Sequence, residues 1–285
     1  MINSTVVVPA WRKPDFLAAT LHQLALAEDF SGENVGYVIC VDRHPHPDVL
    51  DVAWQFRDER APHLVVVKKR VHEYHGNSFN VLTGLIDALK LPGADLIHVV
   101  EDDIFVGLDY FTYHRAAHEL APEAFAVSAC RNQNASGPGE GDAGLLWLHD
   151  SYQSLGVSFQ RRILHRLASY AQDGYFRDPI GFCRAVFPDS RIPAPHAEQD
   201  GLLNRIRESH GLKTVYPDVP RAYHAGFVGY HRDGEALTEG TPQQRGRQLL
   251  AMDAEELNRR AEGPWKDHET IDLQEVRKGP ERVIL

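Results

Sequence analysis

The chain has 285 residues, 43% of them hydrophobic and 25% charged, and carries a formal net charge of −10. That balance is ordinary for a globular protein and excludes a chain that is basic throughout, while leaving room for a local basic groove. No apolar run approaches the ~20 residues a membrane span needs, and the three cysteines, Cys40, Cys130 and Cys183, are too few and scattered for a disulfide framework or a zinc knuckle.

The first residues, Met1 to Pro9, lead into a strand without the charged and apolar regions of a signal peptide. A reducing, cytoplasmic setting is the expectation, with no membrane partner. Thr5-Val6-Val7-Val8-Pro9 is a short β-branched run closed by proline, and Ala10 to Asp15 forms a loop at its carboxyl end. Apolar residues at helical spacing (Leu17, Leu21, Leu24) then predict a helix that Pro14 suits as a start. A second strand, Val35 to Val41, ends on Asp42. It is followed by a helix through Val49, Val52 and Phe56 and a third strand, Leu64 to Val67. The polar stretch Glu73 to Ser78 opens a helix carrying Phe79, Leu82, Leu85 and Leu89.

Leu96-Ile97-His98-Val99-Val100 predicts a buried fourth strand, and it runs directly into Glu101-Asp102-Asp103. Three adjacent carboxylates repel one another and cannot be buried unpaired. Either they form a solvated acidic loop or they hold a cation, and their place at the carboxyl end of a strand favours the cation. Strands alternating with helices of about ten to fifteen residues predict an α/β sheet with parallel strands. Trp11 packs or borders a base together with Arg12. Asp42 caps a turn or contacts a ligand. Asn77 and Asn80 are a helix cap and a surface residue, or they too are ligands.

Beyond the acids, Asp109 is placed to cap a helix reaching Leu120, and Phe125 to Ala129 predicts another strand. Asn132 to Gly144 holds four glycines and reads as a loop, after which Leu145 to Leu148 returns to the sheet. A basic helix over 158–171 presents Arg161, Arg162, His165 and Arg166, either as a solvated face or as a groove wall. The segment from His196 to Gly201 precedes an amphipathic helix with Leu202, Leu203 and Ile206. Lys213 to Pro217 predicts a strand, Arg221 to His231 a loop, and Pro242 to Ala261 a terminal helix.

The run Val99 to Phe111, with Glu101-Asp102-Asp103, a short spacer and Asp109-Tyr110-Phe111, resembles the acidic metal-binding motif of GT-A glycosyltransferases of the N-acetylglucosaminyltransferase I type. The resemblance implies a GT-A (Rossmann-like) α/β fold, a nucleotide-sugar-binding sheet flanked by helices with a C-terminal acceptor-side portion. It divides the chain into a nucleotide-sugar-binding half (1–110), an acceptor-binding and catalytic half of the same domain (111–240) and a C-terminal helix and tail (241–285). It implies a UDP-sugar as donor and Mn²⁺ or Mg²⁺ as cofactor. Asp103 would ligate the metal and Glu101 and Asp102 the donor's sugar and ribose. Asp42 would contact the base, with Pro9, Trp11, Arg12, Asn77 and Asn80 completing the donor site. Glu198-Gln199-Asp200-Gly201 falls where the family carries its catalytic acid, which makes Asp200 the expected base. Gln199 and Gly201 stand where the family has a second acid and a Trp. A histidine in the late loop, His224 with His231 as fallback, resembles the third metal ligand of other GT-A enzymes.

The acceptor is left between two classes. The chain also resembles soluble phage glycosyltransferases associated with TET-type oxygenases, which implies 5-hydroxymethylcytosine in DNA. In that case Arg161, Arg162, Arg166, Arg177, Arg184, Arg191, Arg205 and Arg207 would follow phosphates. Trp147, Tyr175 and Phe176, with Arg177, would hold an extruded base. A glycan, lipid or small-molecule acceptor is the alternative. A module that binds sugar nucleotides without transfer is a further reading, and so is a nucleotidyltransferase, which lacks support in the absence of a Gly-rich loop after the first strand.

Overall fold

The computed structural model describes residues 2–60, 62–71, 73–74, 76–131, 143–225, 240–260 and 275–278. In chain order, β1 (Ser4–Ala10), α1 (Pro14–Ser31), β2 (Val35–Val41), α2 (Pro47–Glu59), β3 (Val65–Lys69), α3 (Asn77–Lys90) and β4 (Leu96–Val99) form the first half. Then come β5 (Ile104–Val106), α4 (Tyr110–Leu120), β6 (Ala126–Ser128), β7 (Leu145–His149) and β8 (Val157–Gln160). The helices α5 (Arg161–Ala168), α6 (Asp173–Arg177), α7 (Pro179–Val186) and α8 (Gln199–Ser209) follow, then β9 (Thr214–Pro217), β10 (Ala222–His224), α9 (Pro242–Arg260) and β11 (Glu275–Lys278).

Among the described residues, nine strands form one sheet in the order β11-β7-β9-β6-β8-β4-β1-β2-β3, and β5 and β10 form a separate two-stranded ribbon. β1 and β2 are buried along their whole length, as parallel strands covered on both faces must be. Alternation along β1 sorts its side chains between two cores. Val6, Val8 and Ala10 pack with Leu17, Leu21 and Leu24 of α1, Val52 of α2 and Tyr113 of α4. Val7 packs on the opposite face with Val81 and Leu85 of α3, Leu164 of α5 and Leu202 of α8. Helix α3 lies so close to that face that a Cβ on Gly84 would come within 2.5 Å of Val7 Cγ1.

Three expectations are corrected. Pro9 does not close the first strand, which continues through Ala10 and buries the proline within it. The β1–β4 ladder ends at Val7 opposite Val99, so the N–H that Pro9 lacks points where no strand needs it. The predicted basic helix over 158–171 begins instead with β8, because Val157, Ser158 and Phe159 are buried between β4 and β6. The second half of the sheet is mixed: β8 runs antiparallel to β4 and β6, and β7 antiparallel to β9.

The chain passes from β1 outward to β2 and β3, then returns to place β4 on the other side of β1. The sheet therefore has its topological switch point between β1 and β4, where a crevice opens at the carboxyl ends of the strands. The loops after β1, β2 and β4 converge there.

Candidate active site

Asp103 is the centre of the crevice. It is buried, and its Oδ2 lies 2.5 Å from Lys13 Nζ and 3.4 Å from His224 Nε2. Burial alone would push its carboxyl up, but His224 and Lys13 hold it below the ordinary carboxylate range. Burial opposes the charge on Lys13 as well, yet Asp103 foremost, then Asp102 and Glu101, raise its ammonium above the usual lysine value.

His224 reaches Asp103 because β10 pairs antiparallel with β5 in a register that sets His224 opposite Ile104, and Ala225 N donates to Asp103 O at 2.9 Å. His231, the fallback ligand, lies outside the described residues.

The neighbouring acids are held differently. Asp102 Oδ2 accepts from Trp11 N at 3.2 Å, which joins the loops after β1 and β4 across the switch point. The hydroxyl of buried Thr20 donates to Asp102 O at 2.9 Å. Glu101 Oε1 lies 3.5 Å from Asn77 Nδ2, at the start of α3. Burial and the surrounding carboxylates push Glu101 up to about 8; Asp103, Asp200 and Asp102 are the charges responsible. Burial and Asp103 likewise raise Asp102 to about 7. The three acids therefore resist being ionised together even with Lys13 beside them, and a further cation entering the crevice would favour their charged forms.

Asp200 sits in the first turn of α8, close enough for its charge to act on Glu101 across the crevice. Asp200 is an exposed residue with protein atoms packed around its carboxylate. That crowding, with Glu198 beside it, raises the carboxyl to about 6. Its position is built by a turn that only glycine completes, since a Cβ on Gly201 would overlap the carbonyl of His196. Buried Arg205 braces the same turn. It donates to the carbonyls of His196 and Gly201, and to Ile192 and Pro193 at 3.0 and 2.9 Å. Gln199 N donates to Ser78 Oγ at 2.9 Å and ties α8 to α3.

Asp42 and Trp11 lie on the loops after β2 and β1. Asp42 Oδ2 accepts from Gly76 N at 2.9 Å and its Oδ1 from Arg43 N at 2.7 Å, so it shapes the loop before α3. The Arg12 guanidinium stacks 4.2 Å above the indole of Trp11, whose Nε1 donates to Arg43 O at 3.0 Å. Asn80 is not available to a ligand. It is buried, donates to Cys40 O at 2.7 Å and accepts from Arg70 at 3.4 Å, which makes it a brace between α3 and β2. Pro9 is buried within β1.

The expected acceptor residues are dispersed. Trp147 is on β7, four places from β4 in the sheet, with Nε1 donating to Asp218 at 3.2 Å. Tyr175 is fully buried and donates to Ala197 O at 2.9 Å, so its ring is closed to a base. Phe176 packs 4.9 Å from Phe79 and 5.9 Å from Tyr74. Arg177 is exposed and bonded to Tyr74.

Nor do the arginines form one phosphate track. Arg205 and Arg207 are buried against backbone carbonyls, Arg161 donates to Leu89 O and Leu91 O, and Arg191 pairs with Glu208 at 2.8 Å. Arg161 and Arg162 line a cavity of about 570 Å³ with Asp95 and Leu96, at the amino end of β4 and away from the acids.

Lys13 escaped the reading of the sequence, and Arg205, expected to follow phosphates, instead braces the turn before α8. Lys13 was accessible in principle, as a cation beside Arg12 in the loop after the first strand. Nothing local marks Arg205, whose partners are carbonyls.

No protein-family model matches the chain. Among solved structures, it is similar to the mannosyltransferase PcManGT from Pyrobaculum calidifontis in complex with GDP-Man and Mn²⁺. The identity is 15% over 89% of this chain and 75% of that one, with a TM-score of 0.47. It is also similar to S. aureus TarS 1-349, at 12% identity over 76% of this chain and 60% of that one, with a TM-score of 0.45. In TarS 1-349 with UDP-GlcNAc the values are 13%, 88%, 66% and 0.49. The chain thus spans less than two thirds of the length of TarS 1-349.

A divalent ion fits the donors present. Among the described residues no group of three or more His, Cys, Asp or Glu could hold a metal by itself, and the crevice offers two, Asp103 and His224. Mg²⁺ and Mn²⁺ sites commonly use one or two protein ligands and complete an octahedron with water and substrate phosphates. Adjacent ligands of such an ion stand about 3 Å apart, close to the 3.4 Å between His224 Nε2 and Asp103 Oδ2.

Proposed function

We propose that the protein is a glycosyltransferase that moves a sugar, a hexose or N-acetylhexosamine, from a UDP-sugar to a hydroxyl acceptor with inversion, using Mn²⁺ or Mg²⁺. The observation that carries this reading is that the start of α3 touches both sides: Asn77 Nδ2 lies 3.5 Å from Glu101 Oε1, and Ser78 Oγ accepts from Gln199 N at 2.9 Å, next to Asp200. An acidic triplet at the switch point binds a donor, and a separate carboxylate on α8 supplies the base that transfer needs. The motif resemblance supplies the substrate class, and the residues' positions support it.

A divalent ion held by Asp103 and His224 would stabilise the charge that develops on the departing diphosphate. Glu101 and Asp102 face the sugar and ribose, and Asp42, Trp11 and Arg12 the base. Asn77 lies at Glu101 and supports its orientation. Asp200 accepts the proton of the acceptor hydroxyl as that oxygen attacks the anomeric carbon. The bond from that carbon to the diphosphate oxygen breaks, and its electron pair leaves with the nucleoside diphosphate. Single displacement inverts the anomeric centre. A carboxyl near 6 suits this task, because it is ionised at neutral pH and still basic enough to take the proton.

The acceptor lies on the side of Asp200, within the half that follows residue 110. Hydroxymethylated DNA is one acceptor class to test and rests on the resemblance alone. The decisive assay incubates the protein with a panel of UDP-sugars, with and without Mn²⁺. The acceptors are hydroxymethylated DNA, unmodified DNA, glycans and small alcohols, and the products are read by mass. Metal-stimulated transfer from one donor is the expected result. Failure to bind any nucleotide sugar in the presence of Mn²⁺ would overturn the reading.

A further inference from the structure

Lys13 ends the loop from the carboxyl end of β1, immediately before α1. Its ammonium lies 2.5 Å from Asp103 Oδ2, and its side chain retains a quarter of its exposure. The same oxygen faces His224 Nε2 at 3.4 Å. Asp103 is therefore already occupied by a cation belonging to the chain, on the oxygen that a metal shared with His224 would use.

An ammonium and a divalent ion on one carboxylate oxygen repel each other at close range in a poorly screened crevice. Entry of the metal therefore requires Lys13 to leave. Lysine is suited to that movement, being a point charge on a flexible four-carbon stem without the fixed fork of arginine. The stem stays anchored at the head of α1, and its Nζ lies 5.8 Å from the centroid of the Phe16 ring, an aromatic face beside its present position. On the nucleotide-sugar reading, the anion that would arrive with the metal is a diphosphate, which an ammonium can pair with.

We propose that Lys13 is an exchangeable counter-ion: it neutralises Asp103 and transfers to the diphosphate when metal and nucleotide enter together. This rests on the nucleotide-sugar reading and adds a binding rule to it. Metal alone must displace Lys13 without compensation, whereas metal with nucleotide gives Lys13 a new partner. Mn²⁺ and UDP consequently bind cooperatively, each strengthening the other by the same factor.

The test measures Mn²⁺ binding by titration calorimetry and electron paramagnetic resonance, and UDP binding with and without Mn²⁺, in the full chain and in Lys13→Met and Lys13→Arg. Lys13→Met is expected to bind Mn²⁺ alone about 10-fold more tightly and UDP in saturating Mn²⁺ about 10-fold more weakly. Lys13→Arg, which keeps the charge, is expected to recover UDP binding. Unchanged or weaker Mn²⁺ binding in Lys13→Met, in a chain that binds Mn²⁺ and UDP when unmodified, overturns the exchange and leaves the nucleotide-sugar reading intact. Tight UDP binding that needs Lys13 but no metal also overturns it, since Lys13 would then replace the ion. An unmodified chain that binds no nucleoside diphosphate with Mn²⁺ overturns both.

Discussion

Arg221 Nε and Asp109 Oδ2 form a buried ion pair at 2.8 Å, joining the strand that carries His224 to the helix that follows the acids. Asp109 makes no side-chain capping bond to α4, contrary to its expected role, because its carboxylate is turned toward Arg221. Arg221 also donates to Val219 O at 2.6 Å and Ala143 O at 3.0 Å, and its carbonyl accepts from Gly107 N at 2.9 Å. The pair thereby holds the β5–β10 ribbon in the register that puts His224 beside Asp103. Removing one partner strands a buried charge, at a cost of about 3–5 kcal/mol. Arg221→Met should lower stability by that order in denaturant melts and weaken Mn²⁺ binding. Asp109→Leu added to it should recover part of the stability.

Asp103→Asn removes the charge on which Lys13, His224 and the proposed ion converge. UDP affinity in the variant should become indifferent to Mn²⁺ while the fold is retained, as calorimetry with and without the metal would show. A variant with undiminished metal dependence would place the ion elsewhere.

Asp200→Asn keeps the shape of the α8 turn and removes its basicity. Transfer should fall by about 10²–10⁴-fold with little change in UDP binding, the signature of lost general base catalysis. In the unmodified protein, Asp200 becomes an effective base as it ionises through about pH 6, a value raised by burial and by Glu198. The rate should therefore rise with pH across that region, and the rising limb should vanish in Asp200→Asn.

Gly201→Ala would drive a Cβ into the His196 carbonyl, moving the turn that positions Asp200. A loss of about 1–3 kcal/mol is expected from such overpacking. Turnover should fall while Mn²⁺ and UDP still bind, because their residues lie on other loops. Kinetics paired with a thermal melt would separate the two effects.

Acid should destabilise the protein through a histidine cluster beneath the sheet. His98, His114 and His118 are buried around Ser158, whose hydroxyl lies 2.6 Å from His114 Nδ1 and 2.9 Å from His118 Nε2. Burial, then His118 and Arg115, lowers His98 to about 3. Burial, against a bond from Ser158 and with Arg162 nearby, lowers His118 to about 4. These imidazoles stay neutral in the fold and protonate at ordinary values when it opens. Below about 6.5 the unfolded chain therefore binds more protons, and stability falls with pH until the folded values are reached. Each fully displaced imidazole contributes up to about 1.4 kcal/mol per pH unit in that window. His98→Phe should flatten the slope in urea melts taken between pH 4 and 7.

Much of the framework of the first half was legible because it is local. The β-branched run at Val6–Val8, the apolar run at Val38–Val41, helical spacing from Leu17 to Leu24 and a strand ending in Glu101-Asp102-Asp103 each carry their signal within a few residues. Burial on both faces explains why such strands read as continuous apolar runs. The strand at Val157 to Gln160 was hidden in a basic helical pattern, since its burial comes from β4 and β6, remote segments that no local period reveals. Conversely, the aromatic residues expected at an acceptor were mispositioned because an aromatic beside turns looks the same whether it stacks on a ligand or, like Tyr175, on the core.

The contacts that turn acids into a site are all long-range. Lys13 meets Asp103 across 90 residues of chain, and Trp11 meets Asp102 across 91. Residue type was enough to say that the triplet needs a cation, because like charges in close sequence cannot avoid one another. Which cation reaches it, and whether Asp200 faces it, depended on strand order and on the turns at Gly201 and His224. Those follow from packing over the whole sheet, where each partner's position is decided by residues it never neighbours in the chain.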